Sequence, residues 1–220
     1  MKTQEKDSRD IVPEPTVKRL PLYLHFLKKA KENGVLTISA PIIGQELEQD
    51  PTQVVKDLAY TGVKGRPRVG YNIYELIKGI EEFLGFNQVY DAFLVGAGNL
   101  GSALINYPEF RSFGFKIIAA FDISDDVVGT QRGDVNVLHF NVFKELASKL
   151  KVRIGILTTP AKVAQEVAEQ MAKAGIRAIW NFTPVKLKLP EGVIVQNTSM
   201  YSNVAVLVMK LNNQLKKNKD

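Results

Sequence analysis

The 220-residue chain contains no cysteine and two histidines, His25 and His139. Without cysteine it can form no disulfide, no thiolate metal or iron–sulfur site and no thiol redox centre. Two histidines are too few for a histidine-rich metal site. No apolar run reaches the roughly 18 residues of a membrane helix, and the polar N-terminus has no apolar signal segment behind it. We therefore expect a cytoplasmic protein that binds neither a metal nor a membrane.

The residues that are present describe an ordinary globular chain. Hydrophobic residues make up 45% and charged residues 24% of the sequence, which excludes collagenous, low-complexity and wholly disordered chains. At roughly 150 residues per domain, the length allows one large domain or two small ones. The net charge of +6 is compatible with an anionic partner but does not require one. The surface that would bind such a partner must therefore be identified from local clusters of charged residues.

Four helices are predicted in the first 86 residues. Residues 1–14 are charge-mixed and contain proline, which predicts a mobile arm. Ser39 can cap the second helix, and Asp50 before Pro51 is a strong start signal for the third. The predicted helices cover residues 16–33, 39–49, 51–61 and 74–84, with a short β segment over residues 36–39.

The third of these helices has an apolar and a polar side. At 100° per residue, Val54 and Leu58 fall together, whereas Gln53, Lys56 and Tyr60 fall on the opposite side. The apolar side predicts packing on the other helices. The polar side is therefore free to meet a partner.

A basic hairpin follows the third helix. Residues 62–70 are rich in glycine and proline and contain three cations and no acidic residue, which predicts a wing. Helices in this order with a wing are typical of a winged helix-turn-helix, in which the third helix faces the major groove and the wing meets phosphates or the minor groove. The structural alternative is a solvated helix with a charged hairpin. The predicted DNA-binding residues are Gln53, Lys56, Tyr60, Lys64, Arg66 and Arg68.

From Tyr90 onward, short apolar runs alternate with amphipathic helices. This rhythm is typical of a parallel sheet that is covered on both faces, and it predicts a doubly wound α/β domain of the Rossmann type. A last helix over residues 202–216 has an apolar stripe and a basic tail. The predicted strands cover residues 92–95, 116–121, 135–138, 152–157, 178–182 and 193–196.

A glycine-rich loop follows the first of these strands. Its residues are Gly96, Ala97, Gly98, Asn99, Leu100 and Gly101. The first glycine permits a tight turn, the second lets a pyrophosphate approach the backbone, and the third lets the helix pack on the strand. Asp122 ends the second strand, where its carboxylate can accept both ribose hydroxyls and would repel a 2′-phosphate. The loop predicts NAD(H) rather than NADP(H), the alternative being a glycine turn in a sheet that binds no nucleotide.

A dehydrogenase is the first function to test, and the sequence argues against it. Such an enzyme needs a positioned acid or base, which a further domain normally supplies, and after the sixth strand this chain offers one helix. We expect His25 and His139 to be surface or partly packed residues rather than catalytic ones. We expect a DNA-binding regulator that responds to a dinucleotide and is not an enzyme. A small NAD-dependent oxidoreductase and a cofactor-gated regulatory subunit without DNA binding remain the alternatives.

The sequence resembles the Rex family of redox-sensing transcriptional repressors over nearly its whole length. The resemblance implies a homodimer that binds an inverted-repeat DNA operator when NAD⁺ prevails, releases it when NADH rises, and exchanges its C-terminal helix between subunits. The motifs that carry it are Thr16-Val17-Lys18-Arg19-Leu20-Pro21-Leu22-Tyr23, Lys56-Asp57-Leu58 with Tyr60 and Gly62, Gly70-Tyr71-Asn72, residues 95–101, Ala120-Phe121-Asp122 and Asn181-Phe182-Thr183-Pro184.

The same resemblance assigns the cofactor site residue by residue. It implies phosphate binding by the loop over residues 96–101 and ribose binding by Asp122. The neighbouring Ile123 is assigned to the same cofactor site. It implies nicotinamide contacts in two further regions. The residues of these two regions are Thr159, Pro160, Asn181 and Phe182.

Two positions depart from the family pattern. Val55 stands where the family usually has an arginine, so a DNA contact is missing or altered. Ser199 stands where the family commonly has an acidic residue, which in relatives exchanges partners between positions matching Arg19 and Tyr107 and couples cofactor state to dimer geometry. Ser199 cannot hold a charged pair, so the switch is weaker here or depends on domain closure alone.

The sequence therefore predicts an α/β protein with three parts. These are an N-terminal winged helix-turn-helix domain over residues 1–86, a doubly wound Rossmann NAD(H)-binding domain over residues 87–200, and a domain-swapped C-terminal dimerisation helix with its basic tail over residues 201–220.

Overall fold

The computed structural model describes residues 12–217, so most of the predicted arm and the last three residues of the predicted tail lie outside the described residues. The chain divides into two compact units, residues 1–88 and 89–220.

The first unit packs its described helices around one apolar core. Three α1 side chains, Leu20, Tyr23 and Leu24, are fully buried with Leu58 and Leu76 of later helices. Two short strands pair antiparallel beside them. The elements are α1 (Glu14–Glu32), β1 (Thr37–Ile38), α2 (Ala40–Glu46), α3 (Pro51–Ala59), β2 (Tyr71–Asn72) and α4 (Ile73–Leu84).

Helix ends in this unit confirm some predicted caps and correct others. The Asp50 carboxylate accepts hydrogen bonds from the N–H groups of Thr52 and Gln53, as predicted for the cap of α3. Ser39 occupies the cap position of α2 but makes no side-chain capping bond. The prediction that α2 runs to Gln49 was also wrong. The helix ends at Glu46 because the chain turns back, with the Gln49 N–H donating to the Gly44 carbonyl at 2.8 Å.

The predicted wing is a hairpin. Arg66 and Gly70 exchange two backbone hydrogen bonds, of 2.7 and 2.9 Å. Gly70 has a φ of +90°, and a Cβ there would overlap the Ile38 carbonyl, so only glycine fits. Lys64, Arg66 and Arg68 are exposed on this hairpin.

The second unit contains the doubly wound sheet. Its strands are β3 (Tyr90–Val95), β4 (Phe115–Asp122), β5 (Gln131–Arg132), β6 (Val135–His139), β7 (Ile154–Leu157), β8 (Ala178–Asn181) and β9 (Ile194–Asn197). They lie in the order β5-β6-β4-β3-β7-β8-β9, and every neighbouring pair is parallel except β5 with β6. The six predicted strands are therefore present, and the prediction missed the two-residue β5. The chain begins at β3 and winds outward in both directions, which places a topological switch point between β3 and β7.

Helices cover both faces of this sheet. On one face, the rings of Phe93, Phe121 and Phe143 pack edge to face, with centroids 4.9 to 5.6 Å apart. The last helix differs from the others because every one of its side chains is exposed. The helices are α5 (Asn99–Ile105), α6 (Glu109–Ser112), α7 (Phe143–Leu150), α8 (Ala161–Lys173) and α9 (Met200–Lys217).

Candidate functional site

The glycine-rich loop lies at the carboxyl end of β3, and its three glycines differ in surroundings. A Cβ at Gly96, which has a φ of +101°, would lie 2.8 Å from the Thr158 carbonyl. A Cβ at Gly101 would overlap the Gly96 carbonyl oxygen, so here the helix packs directly on the turn. A Cβ at Gly98 would meet nothing within 4 Å. The turn and the close packing therefore require glycine, whereas the open side of Gly98 leaves room for a ligand.

Asp122 ties the end of β4 to this loop. Its Oδ2 accepts a hydrogen bond from the Ala97 N–H at 2.8 Å, and its Oδ1 accepts from the N–H groups of Ile123 and Ser124 at 2.8 and 3.0 Å. A carboxylate has about four acceptor positions, so these bonds leave about one for a ligand hydroxyl, against the two ribose hydroxyls expected from the sequence. The bond to Ala97 spans 25 residues and had no signal in the sequence.

A cavity of about 380 Å³ opens beside Asp122, within the usual size range of small-molecule sites. Thr159 lines it, and the Thr159 hydroxyl is buried without a hydrogen-bond partner among the described residues. A buried hydroxyl without a partner is costly unless a ligand or water completes it. The cavity thus has a polar end and an apolar wall. The apolar wall is formed by Ile123, Phe140, Val163 and Val167.

Of the four residues assigned to the nicotinamide, two line this cavity and two do not. Thr159 and Pro160 line it together with Asp122. Asn181 is fully buried, and its amide donates to the Val185 carbonyl and to the Asn197 side chain at 2.8 and 2.9 Å. Phe182 does not line the cavity and packs against Trp180, with ring centroids 4.7 Å apart.

In the first unit, α3 presents the polar side that the sequence predicted. Val54 and Leu58 are fully buried, whereas Lys56 and Tyr60 are exposed. Gln53 is half-buried. Val55, the departure from the family pattern, is 47% exposed on the same helix.

The cations of this surface are free of ion pairs with the described residues. Lys56 of α3 and the three wing cations, Lys64, Arg66 and Arg68, are exposed, and none lies within 4.0 Å of a described carboxylate. Exposed, unpaired cations on a helix and a wing fit the polyanionic backbone of DNA.

Sequence reasoning missed a buried carboxylate behind this surface. Asp57 is fully buried on α3, where its Oδ2 accepts from Arg19 Nε at 2.6 Å and from the Tyr23 hydroxyl at 2.8 Å. Its Oδ1 accepts from Arg19 Nη2, the Thr16 hydroxyl and the Gln53 amide at 2.8 to 2.9 Å. An acidic residue between Val54 and Leu58 on the helix was the available signal.

These contacts decide the protonation states of the cluster. Burial alone would raise the pKa of Asp57, but the hydrogen bonds from Arg19, Gln53, Tyr23 and Thr16 outweigh it and lower the pKa to about 2. Burial and the bond to this carboxylate raise the pKa of Tyr23. Asp57 is therefore ionised at neutral pH.

The three residues assigned to coupling have other partners in the structure. Arg19 pairs with the Asp57 carboxylate within the first unit. In the second unit, Ser199 accepts hydrogen bonds from the N–H and hydroxyl of Ser202 at the start of α9. The half-exposed ring of Tyr107 packs against Phe110, with centroids 5.1 Å apart.

The described residues contain neither a membrane-spanning helix nor a cluster of metal ligands. Within residues 12–217, no helix has the length and apolar character needed to cross a membrane. The same residues contain no group of three or more histidine, cysteine, aspartate or glutamate side chains that could hold a metal ion.

A winged helix-turn-helix unit followed by a Rossmann unit with a ligand cavity defines a class of DNA-binding regulator that carries a dinucleotide-binding fold. Two family models match the units: "CoA binding domain" over residues 87–185 and "Putative DNA-binding protein N-terminus" over residues 11–59. The chain belongs to the Rex family of redox-sensing transcriptional repressors, as two curated relatives show. The repressor Rex of Bacteroides fragilis is 43% identical over 95% of this chain and 94% of its own length. Rex of Porphyromonas gingivalis is 44% identical over 91% and 92%.

Solved structures of the same family match the fold. A crystal structure of RSP in complex with β-NAD⁺ and operator DNA matches with a TM-score of 0.87 at 33% identity, over 95% of this chain and 96% of that one. RSP in complex with β-NADH matches with a TM-score of 0.84 at 33% identity, over 95% and 98%. The predicted fold class and family are therefore confirmed.

Proposed function

We propose that this chain is a homodimeric repressor that binds an inverted-repeat operator and is released from DNA when NADH binds. The observation that carries the proposal is the presence, in one chain, of an unpaired cationic winged helix and an open glycine loop beside a cavity with an orphaned hydroxyl. The RSP structures with operator DNA and with NADH support the same pairing of ligands.

The second unit fits NAD⁺ and NADH. The pyrophosphate would approach the open side of Gly98, and the free acceptor position of Asp122 would take a ribose hydroxyl. The apolar wall suits the adenine ring, and the buried Thr159 hydroxyl would gain the partner that it lacks. Because the Asp122 carboxylate would repel a 2′-phosphate, we expect NAD(H) to bind more tightly than NADP(H).

The cofactor would bind without being consumed in an enzymatic reaction. Neither histidine lines the cavity: His139 is exposed and its Nδ1 accepts from the Asn141 N–H, and His25 is exposed in the first unit. We therefore propose a regulator rather than an oxidoreductase, acting in the cytoplasm where the operator is. Steady hydride transfer from NADH to a carbonyl substrate would contradict this.

The dimer rests on α9. Its large apolar side chains are half to three-quarters exposed in the single chain, including Tyr201, Val204, Leu207 and Leu211. A soluble monomer rarely leaves such a stripe uncovered, and two winged helices are needed to read two half-sites. We expect removal of residues 201–220 to yield a monomeric or insoluble protein in light scattering. A stable dimeric truncation would refute the role of α9.

Release by NADH is a linkage between two ligands. A roughly 100-fold loss of operator affinity needs about 2.8 kcal/mol of coupling, and operator DNA must weaken NADH binding by the same factor. Titrating the intrinsic fluorescence of NADH with and without operator measures this directly. Equal dissociation constants in the two titrations would reject the mechanism.

A further inference from the structure

The Gln53 side chain, which we propose reads DNA, is tied to the buried carboxylate of Asp57. Gln53 lies four residues before Asp57 on α3, and its Nε2 donates to Asp57 Oδ1 at 2.9 Å. Asp57 is itself held by α1, where Arg19 and Tyr23 donate to its Oδ2. The hydrogen bond to Asp57 therefore holds the Gln53 amide group at a defined position beside the helix.

The chemistry of Asp57 also fixes which way the amide points. An ionised carboxylate has acceptors and no donor, so the amide nitrogen and not the amide oxygen must face it. This orientation follows from the partner and does not depend on how the nitrogen and oxygen are told apart. Gln53 is left with one N–H and its carbonyl oxygen for a ligand.

The remaining donor and acceptor of Gln53 are complementary to the major-groove edge of only one base. Adenine presents an N6 donor beside an N7 acceptor, whereas guanine presents two acceptors and the pyrimidines lack N7. We propose that Gln53 recognises an adenine in each operator half-site, and that Asp57 is the positioning residue that presents its amide. The inference rests on the proposed function, because it assumes that α3 enters the major groove.

The opposite possibility is that Gln53 only ties α3 to the core. In that case its replacement would change stability and overall affinity but not the preference for any base. The experiment must therefore measure ratios of affinities between DNA duplexes rather than affinity alone.

The first step is to select bound sequences from a randomised duplex library with the wild-type chain and with Gln53→Ala. We expect the variant to lose a preference for adenine at one position of each half-site. Gln45→Ala is the matched control, because Gln45 is exposed on α2 and is not among the side chains that donate to Asp57. It should leave every base preference unchanged.

The second step replaces that adenine by 7-deazaadenine, which lacks N7, or by purine, which lacks the N6 amine. We expect each analogue to weaken binding of the wild type by about three- to tenfold, and to leave Gln53→Ala unaffected. Asp57→Asn offers a donor as well as an acceptor and frees the amide to turn, so the adenine preference should fall even in a folded variant. If that variant does not fold, Gln53→Glu serves instead, because a carboxylate cannot donate to N7.

The outcomes separate the two proposals. A wild type that binds no duplex selectively overturns the proposed function and this inference with it. Selective binding in which Gln53 controls a guanine or pyrimidine, or controls no position, overturns the inference alone. Loss of both analogue effects in Gln53→Ala supports it.

Discussion

Replacing Gly98 by alanine should leave the stability of the second unit nearly unchanged and strongly lower its affinity for NADH. Gly98 has a φ of −68°, which any L-residue adopts, and an added methyl group would meet no atom within 4 Å. The substitution reduces the entropy of the unfolded chain, which contributes roughly 0.4 to 1 kcal/mol to stability. Gly98 is the N-cap of α5, however, and alanine is a poorer cap than glycine by a similar amount, so we expect the free energy of unfolding to change by less than about 1 kcal/mol.

The same methyl group would occupy the space through which we propose that the pyrophosphate reaches the loop. Losing one or two charge-assisted hydrogen bonds to backbone N–H groups costs about 1.5 to 5 kcal/mol, or about ten- to several-thousandfold in Kd. The matched comparison is Gly101→Ala, whose Cβ would overlap the Gly96 carbonyl oxygen and lie 3.0 Å from Leu94 Cδ2. That variant should lose about 1 to 3 kcal/mol of stability as well as its cofactor affinity.

Two measurements on each variant decide the matter: urea unfolding followed by circular dichroism, and NADH titration followed by fluorescence. For Gly98→Ala the NADH affinity must fall while the free energy of unfolding stays nearly constant, whereas for Gly101→Ala both must fall. Unchanged NADH affinity in a folded Gly98→Ala variant would refute the placement of the pyrophosphate.

Three further predictions concern single side chains. Asp122→Ala removes the acceptor of three backbone N–H groups, so calorimetric NADH binding and urea stability should both fall, the latter by about 1 to 3 kcal/mol; a fully stable variant would contradict this. The pKa of Asp57 is lowered to about 2. Its ionised carboxylate therefore adds about 2 kcal/mol to the free energy of unfolding above pH 4, and this stabilisation is lost as the pH falls towards 2. Urea unfolding between pH 6 and pH 2.5 should show this loss in the wild type, and Asp57→Asn should have a flatter profile. Lys56→Ala should lower the slope of log affinity for operator against log salt by about 0.9 and leave the Kd for NADH unchanged; an unaltered slope would mean that Lys56 contacts no phosphate.

Local patterns in the sequence were sufficient for most of the elements and for the glycine loop, although they missed the two-residue β5 and the end of α2. The cap at Asp50, the apolar runs of the sheet and the three roles of Gly96, Gly98 and Gly101 depend on residues close together in the chain. Each is set by backbone sterics or by the period of a helix or strand, and these act over a few residues. The polar side of α3 could be predicted for the same reason.

The tertiary structure alone decided which distant groups meet. It brought Thr16 and Arg19 to Asp57 across 41 and 38 residues, which gave Arg19 a partner within its own unit, and it fixed the orientation of Gln53. It also joined Asp122 to Ala97 and placed Thr159 in the cavity beside Asp122. Such contacts form where separate elements pack, and no local periodicity records which side chains then face each other. The sequence by itself therefore determined the two folds and the kind of ligand each takes, and only packing determined how the binding side chains are held.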